Sequence, residues 1–371
     1  MGNGAPGERA VGMVEFDNDF PRIPDEHLKR FVIDVFTGYG MRQWDAEISA
    51  EILVESDLRG IDSHGVPRMA FYVDRLKRGG YNLEAELEVV RETPAAITFN
   101  ANNGFGPPMA YKAMERCIEK AKEAGVCLAT VGHSNHYGIA GYYATMALDH
   151  PGMAGISMTN ATPLLVPTHG KVALLSTAPI AAAFPAGVEP PFVLDAATTA
   201  VAWGKVEIAR RQRKPMPLGW AVDAEGRPTT DPFQAVALMP LGGERDTSGQ
   251  KGYGLSLMVE FLCSQLSGSL WSRDVTGSRV EHIVPSDTSH AFIAIKIAAF
   301  RDLDEYAASA DEMLHALRTS PPAPGHDRVM VPGDPEREAY ADRSERGIPV
   351  HPEVVATLRE IGTEAGVNVP F

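Results

Sequence analysis

Two short polar clusters hold the residue types that can move a proton and grip an anion. The first is Asp62-Ser63-His64-Gly65-Val66-Pro67-Arg68, with Tyr72 four residues beyond the arginine. Pro67 suits a first helical turn, so Ser63, His64 and Arg68 gather around a helix N-terminus, where partial positive charge favours an anion. Arg68 there can hold a carboxylate through two parallel hydrogen bonds. His64, whose ordinary pKa lies near neutrality, can exchange a proton with a neighbouring hydroxyl or carbonyl oxygen. Ser63 can cap the helix or bond the substrate, and Tyr72 lies one turn along on the face of Arg68. The same residues also fit a plain helix start, with a capping serine, a surface histidine and an arginine paired to an acid.

The second cluster, Gly132-His133-Ser134-Asn135-His136-Tyr137-Gly138, follows the apolar run 126–131. Strand ends that feed polar loops are where α/β proteins bind ligands. His136 is a candidate catalytic or cofactor-lining group, and the alternative is a structural histidine. His133 and His136, three apart, also have a spacing that metal ligands use, but no carboxylate or thiol stands at a supporting distance, so no metal is expected. A third feature, Gly249-Gln250-Lys251-Gly252-Tyr253-Gly254, opens an apolar helical run, and a lysine among mobile backbone amides at a helix start suits a phosphate. A simple glycine-rich loop fits it equally. G-x-G-x-x-G between strand and helix, G-x-x-x-x-G-K-[ST] and G-x-S-x-G are all missing from the 371 residues.

The elements that must position these clusters change character along the chain. Helical spacing recurs over the first eighty residues: Leu28, Phe31, Val32, Val35 and Phe36, then Ile48, Ile52 and Leu53 after Asp45, then a helix entered near Pro67 and stopped at Gly79-Gly80. A helix is expected between Phe105 and Gly125. Short apolar runs at 126–131, 153–159, 192–194, 220–222 and 291–297 then alternate with helix-like stretches at 141–148 and 255–266, which indicates a mixed α/β domain. The segment 320–325 reads as a linker, 329–331 as a short strand, 332–334 as a loop, and Pro352 as the entry to a last helix.

Composition bounds the function. The chain has 34 Lys+Arg, 48 Asp+Glu and a formal charge of −14, a balance that argues against nucleic acid as a partner. No apolar run reaches the roughly 18 residues of a membrane span, and the first twenty residues hold no secretory apolar segment. Residues 1–20 are expected to be disordered. Three scattered cysteines, Cys117, Cys127 and Cys263, make no disulfide framework, and the cytoplasm is the expected compartment.

Eight ordered stretches together resemble the malate/L-lactate dehydrogenase family, whose nicotinamide-dependent oxidoreductases lack a Rossmann domain. They are DLRGIDSHGVPRMAFY (57–72), SNHYGIAGYYA (134–144), ISMTNATPLLVPTHG (156–170), FVLDAATTAVAWGKV (192–206), GWAVDAEGRPTTDP (219–232), LMPLGG (238–243), KGYGLSLMVEFLCSQLSG (251–268) and VPGDPE (331–336). The resemblance implies hydride transfer between NAD or NADP and C2 of a small carboxylate, a 2-oxo or 2-hydroxy acid, or alternatively a cyclic imine carboxylate. It implies that His64 leads as proton donor and acceptor, with His136 as the second candidate and Ser63, Arg68 and Tyr72 lining the substrate site. It implies a dinucleotide held by Ser176, Thr177, Val193, Leu194, Asp195, Ala196, Ala197, Thr198, Lys251, Gly252, Pro332, Gly333 and Asp334. The implied fold has a helical domain built from both chain ends (21–95 with 315–371) and a central mixed-sheet cofactor domain (96–314), as a homodimer.

Two departures stand out against the family pattern. His169-Gly170 stands where relatives commonly carry paired glycines, and Ala178 where they carry asparagine in Gly-Thr-Asn-Pro. The basic run Arg210-Arg211-Gln212-Arg213-Lys214 is expected to be a solvated helix end, the alternative being help in holding a phosphate. Two rival functions are a metal-dependent lyase using His133 and His136, and a non-catalytic binding protein that retains the fold.

Overall fold

The computed structural model describes residues 20–277 and 283–371. The expectation of disorder over 1–20 lies, but for Phe20, outside the described residues. Helix α1 (Asp25–Gly38) begins with Asp25 and Glu26, which complement the helix dipole, and buries Leu28, Phe31, Val32, Val35 and Phe36. Helix α2 (Gln43–Leu58) is buried on every side at its C-terminal end, from Ile52 to Leu58. Its Ile52 belongs to one apolar core and the next residue, Leu53, to another. The second of these cores also takes Tyr72 and Val73 from α3 (Met69–Lys77) and Val355, Leu358 and Ile361 from the last helix (Pro352–Ala365). Both chain ends therefore meet in one core. Antiparallel pairing of Arg22 and Ile23 with Pro349 and Ile348 knits them further.

The other core lies between helices and a seven-stranded sheet. Its strands are β1 (Glu88–Thr93), β2 (Ala96–Asn100), β3 (Val126–Ser134), β4 (Met153–Thr159), β5 (Ile180–Phe184), β6 (Phe192–Ala196) and β7 (Thr288–Lys296), arranged β1-β2-β3-β7-β4-β5-β6. Only β2 and β3 run parallel. Helix α4 (Gly106–Ala124) packs an alanine- and methionine-rich stripe onto this sheet, and α5 (Ala140–Met146) follows the loop after β3. A smaller apolar core forms around α6 (Trp203–Gln212) and a three-stranded sheet of Ala221–Val222, Pro228–Thr229 and Ala237–Leu238. Helix α7 (Gly249–Glu260) continues into a wider i→i+5 turn at Phe261–Gln265.

Several elements depart from the sequence expectation. Residues 329–331 are irregular, and the expected loop at 332–334 opens helix α9 (Asp334–Arg346). Helix α9 carries thirteen largely charged residues without an apolar stripe, so hydrophobic periodicity could not reveal it. Strand β1 is exposed along its whole length, and β5 (IAAAF) has little β-branched character, which hid both from pattern reading. Helix α8 (Leu303–Arg318) buries only Ala310 and Leu314. Among the described residues, no helix is long and apolar enough to cross a membrane.

Candidate active site

The first cluster folds as two single turns, Asp62–His64 and Val66–Arg68, joined through Gly65 and running into α3. Ser63 Oγ lies 2.9 Å from His64 Nδ1, and Arg68 Nε donates to the Ser63 carbonyl at 2.7 Å. The arginine is thus folded back over the turn, with its terminal nitrogens supplying the remaining guanidinium donors. Burial, assisted by the charge of Arg68, draws the His64 imidazole down to about 3.

His136 meets this cluster from the loop after β3. Its ring stacks on His64 at 5.6 Å between centroids and 22° between planes. Tyr72, 1% exposed, places Oη 2.7 Å from His136 Nδ1, and the Gly138 N–H reaches the same nitrogen at 3.4 Å. Burial, then Arg68 and the neighbouring His64 and His290, lower the His136 pKa well below its ordinary value, while burial raises that of the Tyr72 phenol. The arrangement is two neutral imidazoles and a protonated phenol beside a permanent cation. Phe36, Phe71 and Phe105 pack edge-on or tilted against Tyr72 and wall the site with apolar surface.

His133 does not join this group. Its Nδ1 lies 2.8 Å from Asp287 Oδ1, and it lines a cleft of about 810 Å³ with Asn82, Asn103 and Asp287. His290, which drew no attention in the sequence, is fully buried between Thr159 Oγ1 at 2.8 Å and Ser134 Oγ at 2.9 Å, under the ring of Tyr137 at 4.4 Å.

The residues expected to hold a dinucleotide are drawn together by backbone contacts. The Thr198 N–H and hydroxyl both donate to the Thr177 carbonyl, at 2.9 and 3.0 Å, and the Leu241 N–H donates to the Thr198 carbonyl at 2.9 Å. The Val193 N–H donates to the Pro332 carbonyl at 3.1 Å. Leu194 and Ala196 continue β6, paired with Ala182 and Ile180, and Ala197 leads to Thr198. Ser176 Oγ accepts the Ala178 N–H at 3.2 Å.

Two glycines make close backbone approach possible. At Gly252 a Cβ would stand 2.3 Å from the Leu241 carbonyl oxygen; at Gly333, with φ of +98°, it would meet Val193 at 3.0 Å. Lys251 is exposed in the first turn of α7. Both approaches are between parts of the chain itself, and what suits a pyrophosphate chemically is the Lys251 ammonium at a helix start.

Two carboxylates in these segments are internal fasteners. Asp195 Oδ2 accepts the Gly141 N–H at 2.7 Å, tying β6 to the helix behind the His136 loop, and burial raises its pKa to about 6 against the pull of that N–H and of Arg59. Asp334 accepts from Arg318 at 2.9 Å, Arg337 at 2.5 Å and the Val331 N–H at 2.9 Å. Burial works to raise the Asp334 pKa, but these partners outweigh it and hold the carboxyl well below the usual range.

The departures are placed as well. His169 is exposed and Ala178 buried, with φ of +64° and +34°. Of the basic run, Arg210 is turned inward onto the Pro232 and Ala235 carbonyls, while Arg211, Arg213 and Lys214 are exposed.

The site is a half-buried, cation-flanked histidine pair in a mixed α/β chain without a Rossmann motif, a setting suited to proton exchange in an oxidoreductase. The chain belongs to the malate/L-lactate dehydrogenase family, whose model matches residues 23–359. It is similar to the malate dehydrogenase of Pyrococcus abyssi, 41% identical over 95% of this chain and 97% of the relative. The L-sulfolactate dehydrogenase of Methanocaldococcus jannaschii is 37% identical over 94% of this chain and 98% of its own. The solved structure of malate dehydrogenase from Pyrococcus horikoshii OT3 superposes with a TM-score of 0.87 at 39% identity, over 96% of this chain and 99% of that one.

Proposed function

We propose that the protein moves a hydride at C2 of a small 2-oxo or 2-hydroxy acid, with NAD or NADP as carrier and His64 as the proton-exchanging group. The observation that carries this is the stack of His64 on His136 beside Arg68. When bound, the nicotinamide supplies or accepts the hydride. Ser176, Thr177, the 193–198 stretch, Lys251, Gly252 and the 332–334 turn would hold it.

Arg68 takes the substrate carboxylate through its terminal nitrogens, its Nε being committed to Ser63. In the oxidising direction, neutral His64 accepts the proton of the C2 hydroxyl. In the reducing direction it returns one to the carbonyl oxygen, a service worth about 10²–10⁴ in rate. An anion on Arg68 offsets the cationic field at His64, so substrate binding itself raises the affinity of that imidazole for a proton. Ser63 orients His64, and Tyr72 orients His136.

The test is NAD(P)H oxidation with a panel of 2-oxo acids and cyclic imines, comparing wild type with His64→Ala and His136→Ala. Loss of kcat confined to His64→Ala supports the assignment; loss confined to His136→Ala transfers the role.

The active form is proposed to be a homodimer in the cytoplasm. Leu255, Met258, Phe261 and Leu266 are exposed along α7 and its continuation, in which Val259 and Cys263 are buried. The wide turn at Phe261–Gln265 brings Phe261 and Leu266, five apart, onto one face. A second copy is the occupant proposed for that stripe, and Phe261→Glu should leave a monomer by sedimentation. The buried, unpaired thiols of Cys117, Cys127 and Cys263 suit a reducing compartment. The proposed division is into a helical domain from both chain ends and a central cofactor domain, the first boundary falling ahead of Glu88 because β1 pairs with β2.

A further inference from the structure

Helix α9 is attached near each end, and the two attachments fall on different halves of the site. At its start, the Pro332 carbonyl accepts the Val193 N–H, Gly333 lies against Val193, and the Asp334 carboxylate is clamped by Arg318 and Arg337. Nine residues on, about 13 Å along the helix, Arg343 reaches the turn that carries Ser63 and His64. Arg343 is 4% exposed and donates to the Asp57 carbonyl, to Asp62 Oδ1 and, at 3.3 Å, to Asp62 Oδ2. Between these ends, Ala339 packs under Gly60, where a Cβ would stand 3.2 Å from its methyl.

Asp57 completes the attachment. Its carboxylate, 2% exposed, accepts the Val66 N–H at 2.8 Å, and the turn lies so close above it that a Cβ on Gly65 would stand 1.8 Å from Oδ1. Asp57 thus supports the turn from below while Arg343 grips its first residue, Asp62, from the side. A pair of this kind at the surface would hold little. With Arg343 buried and its guanidinium forked onto the part-exposed Asp62 carboxylate, this pair defines one geometry for the turn.

We infer that Arg343, acting through Asp62 and Asp57, is a positioning residue for the turn that presents Ser63, His64 and Arg68, and that α9 is the strut fixing this turn relative to the Val193 strand. The inference rests on the proposed acid–base role of that turn. Through Asp62 and the Asp57 carbonyl, Arg343 bears on the turn at one remove from the reacting groups. A displacement of the turn by as little as 1 Å is enough to cost up to about 10²-fold in rate.

The test uses the full chain with Arg343→Lys, which keeps the charge but loses the fork, and Asp62→Asn, which keeps the shape but loses the charge. Three quantities are read: kcat and KM for the acid, nucleotide Kd by NAD(P)H fluorescence, and the ¹³Cε1–¹H resonance of His64 in the cofactor-free protein, assigned by its loss in His64→Ala. Both variants should lower kcat about tenfold or more, displace the His64 resonance, and leave nucleotide Kd within about twofold. A lower melting temperature with kcat and the His64 resonance both unchanged would show a merely structural role and overturn the inference. If His64→Ala keeps full turnover while Arg343→Lys loses it, the acid–base assignment fails and the positioning role stands. If His64→Ala abolishes turnover while both variants keep theirs, the positioning role fails alone. Should Arg343→Lys fold poorly, Asp62→Asn decides, because Asp62 is part-exposed and tolerates an amide.

Discussion

Tyr72 Oη and His136 Nδ1, 64 residues apart in the chain, meet at 2.7 Å. Burial keeps the phenol protonated, so it donates, and the Gly138 N–H approaches the same nitrogen. Nδ1 is therefore the acceptor, and neutral His136 carries its proton on Nε2, where it can serve as a fixed donor. Tyr72→Phe keeps the ring packing against Phe36 and Phe105 but frees the tautomer. The expected result is a kcat lowered about tenfold with about 1 kcal/mol lost in stability, the usual net value of one hydrogen bond. Steady-state kinetics beside urea unfolding checks it, and an unchanged kcat removes Tyr72 from the site's function.

Arg68 has two separable jobs. As the carboxylate grip, its loss in Arg68→Gln should raise KM for an acidic substrate far more than nucleotide Kd. As the charge that helps burial depress His64, its loss should raise the His64 pKa from about 3 toward the ordinary value. The sign follows from a cation disfavouring a second cation nearby. Histidine resonances followed against pH in the ligand-free variant check this, and a His64 midpoint no higher than in wild type refutes it. In wild type, binding an unreactive 2-oxo acid analogue should be accompanied by proton uptake, read as a dependence of calorimetric binding enthalpy on buffer ionisation enthalpy.

The helices that position the site were legible from apolar spacing or from proline and glycine punctuation. The 28–36 run follows its spacing, and the helix between Phe105 and Gly125 and the last helix after Pro352 follow their punctuation. His64, Arg68 and Tyr72 were legible because a helix start gathers neighbours in sequence. The family resemblance named His64 and His136 as alternative candidates, but their stacking had no signal in the sequence, since no local pattern links residues 72 apart. Arg343 left no signal at all. It lies 281 residues from Asp62 in a helix without an apolar stripe, and only the fold reveals a pairing of that kind.

Gly333 offers a test of the nucleotide wall that leaves the histidines untouched. Its φ of +98° belongs to glycine, and an added methyl would meet Val193 at 3.0 Å. Gly333→Ala should push the 332–334 turn off β6 and weaken NADH or NADPH binding by about tenfold or more, with backbone strain of order 1–3 kcal/mol behind it. Fluorescence titration with both nucleotides measures the loss. An unaltered Kd would mean that this turn does not face the dinucleotide.

His290 gives a stability prediction with a definite sign. It is fully buried between Thr159 and Ser134, and burial draws its pKa down to about 3. In the unfolded chain the imidazole titrates near 6.5. Between those values the unfolded state binds the extra proton, so this residue's contribution is fully present above about pH 6.5 and is lost as pH falls toward 3. Asp195 works the other way, since a carboxyl raised to about 6 stabilises the fold as pH falls to that range, and the raw stability curve therefore mixes both effects. Comparing wild type with His290→Asn, which keeps hydrogen-bonding capacity but cannot titrate, isolates the histidine. Urea unfolding at intervals from pH 7 to pH 4 should show wild-type stability falling more steeply than the variant's, by up to one proton's worth, about 1.4 kcal/mol per pH unit. Parallel curves would mean that His290 titrates alike in the folded and unfolded chain, and that its burial under Tyr137 does not keep it neutral.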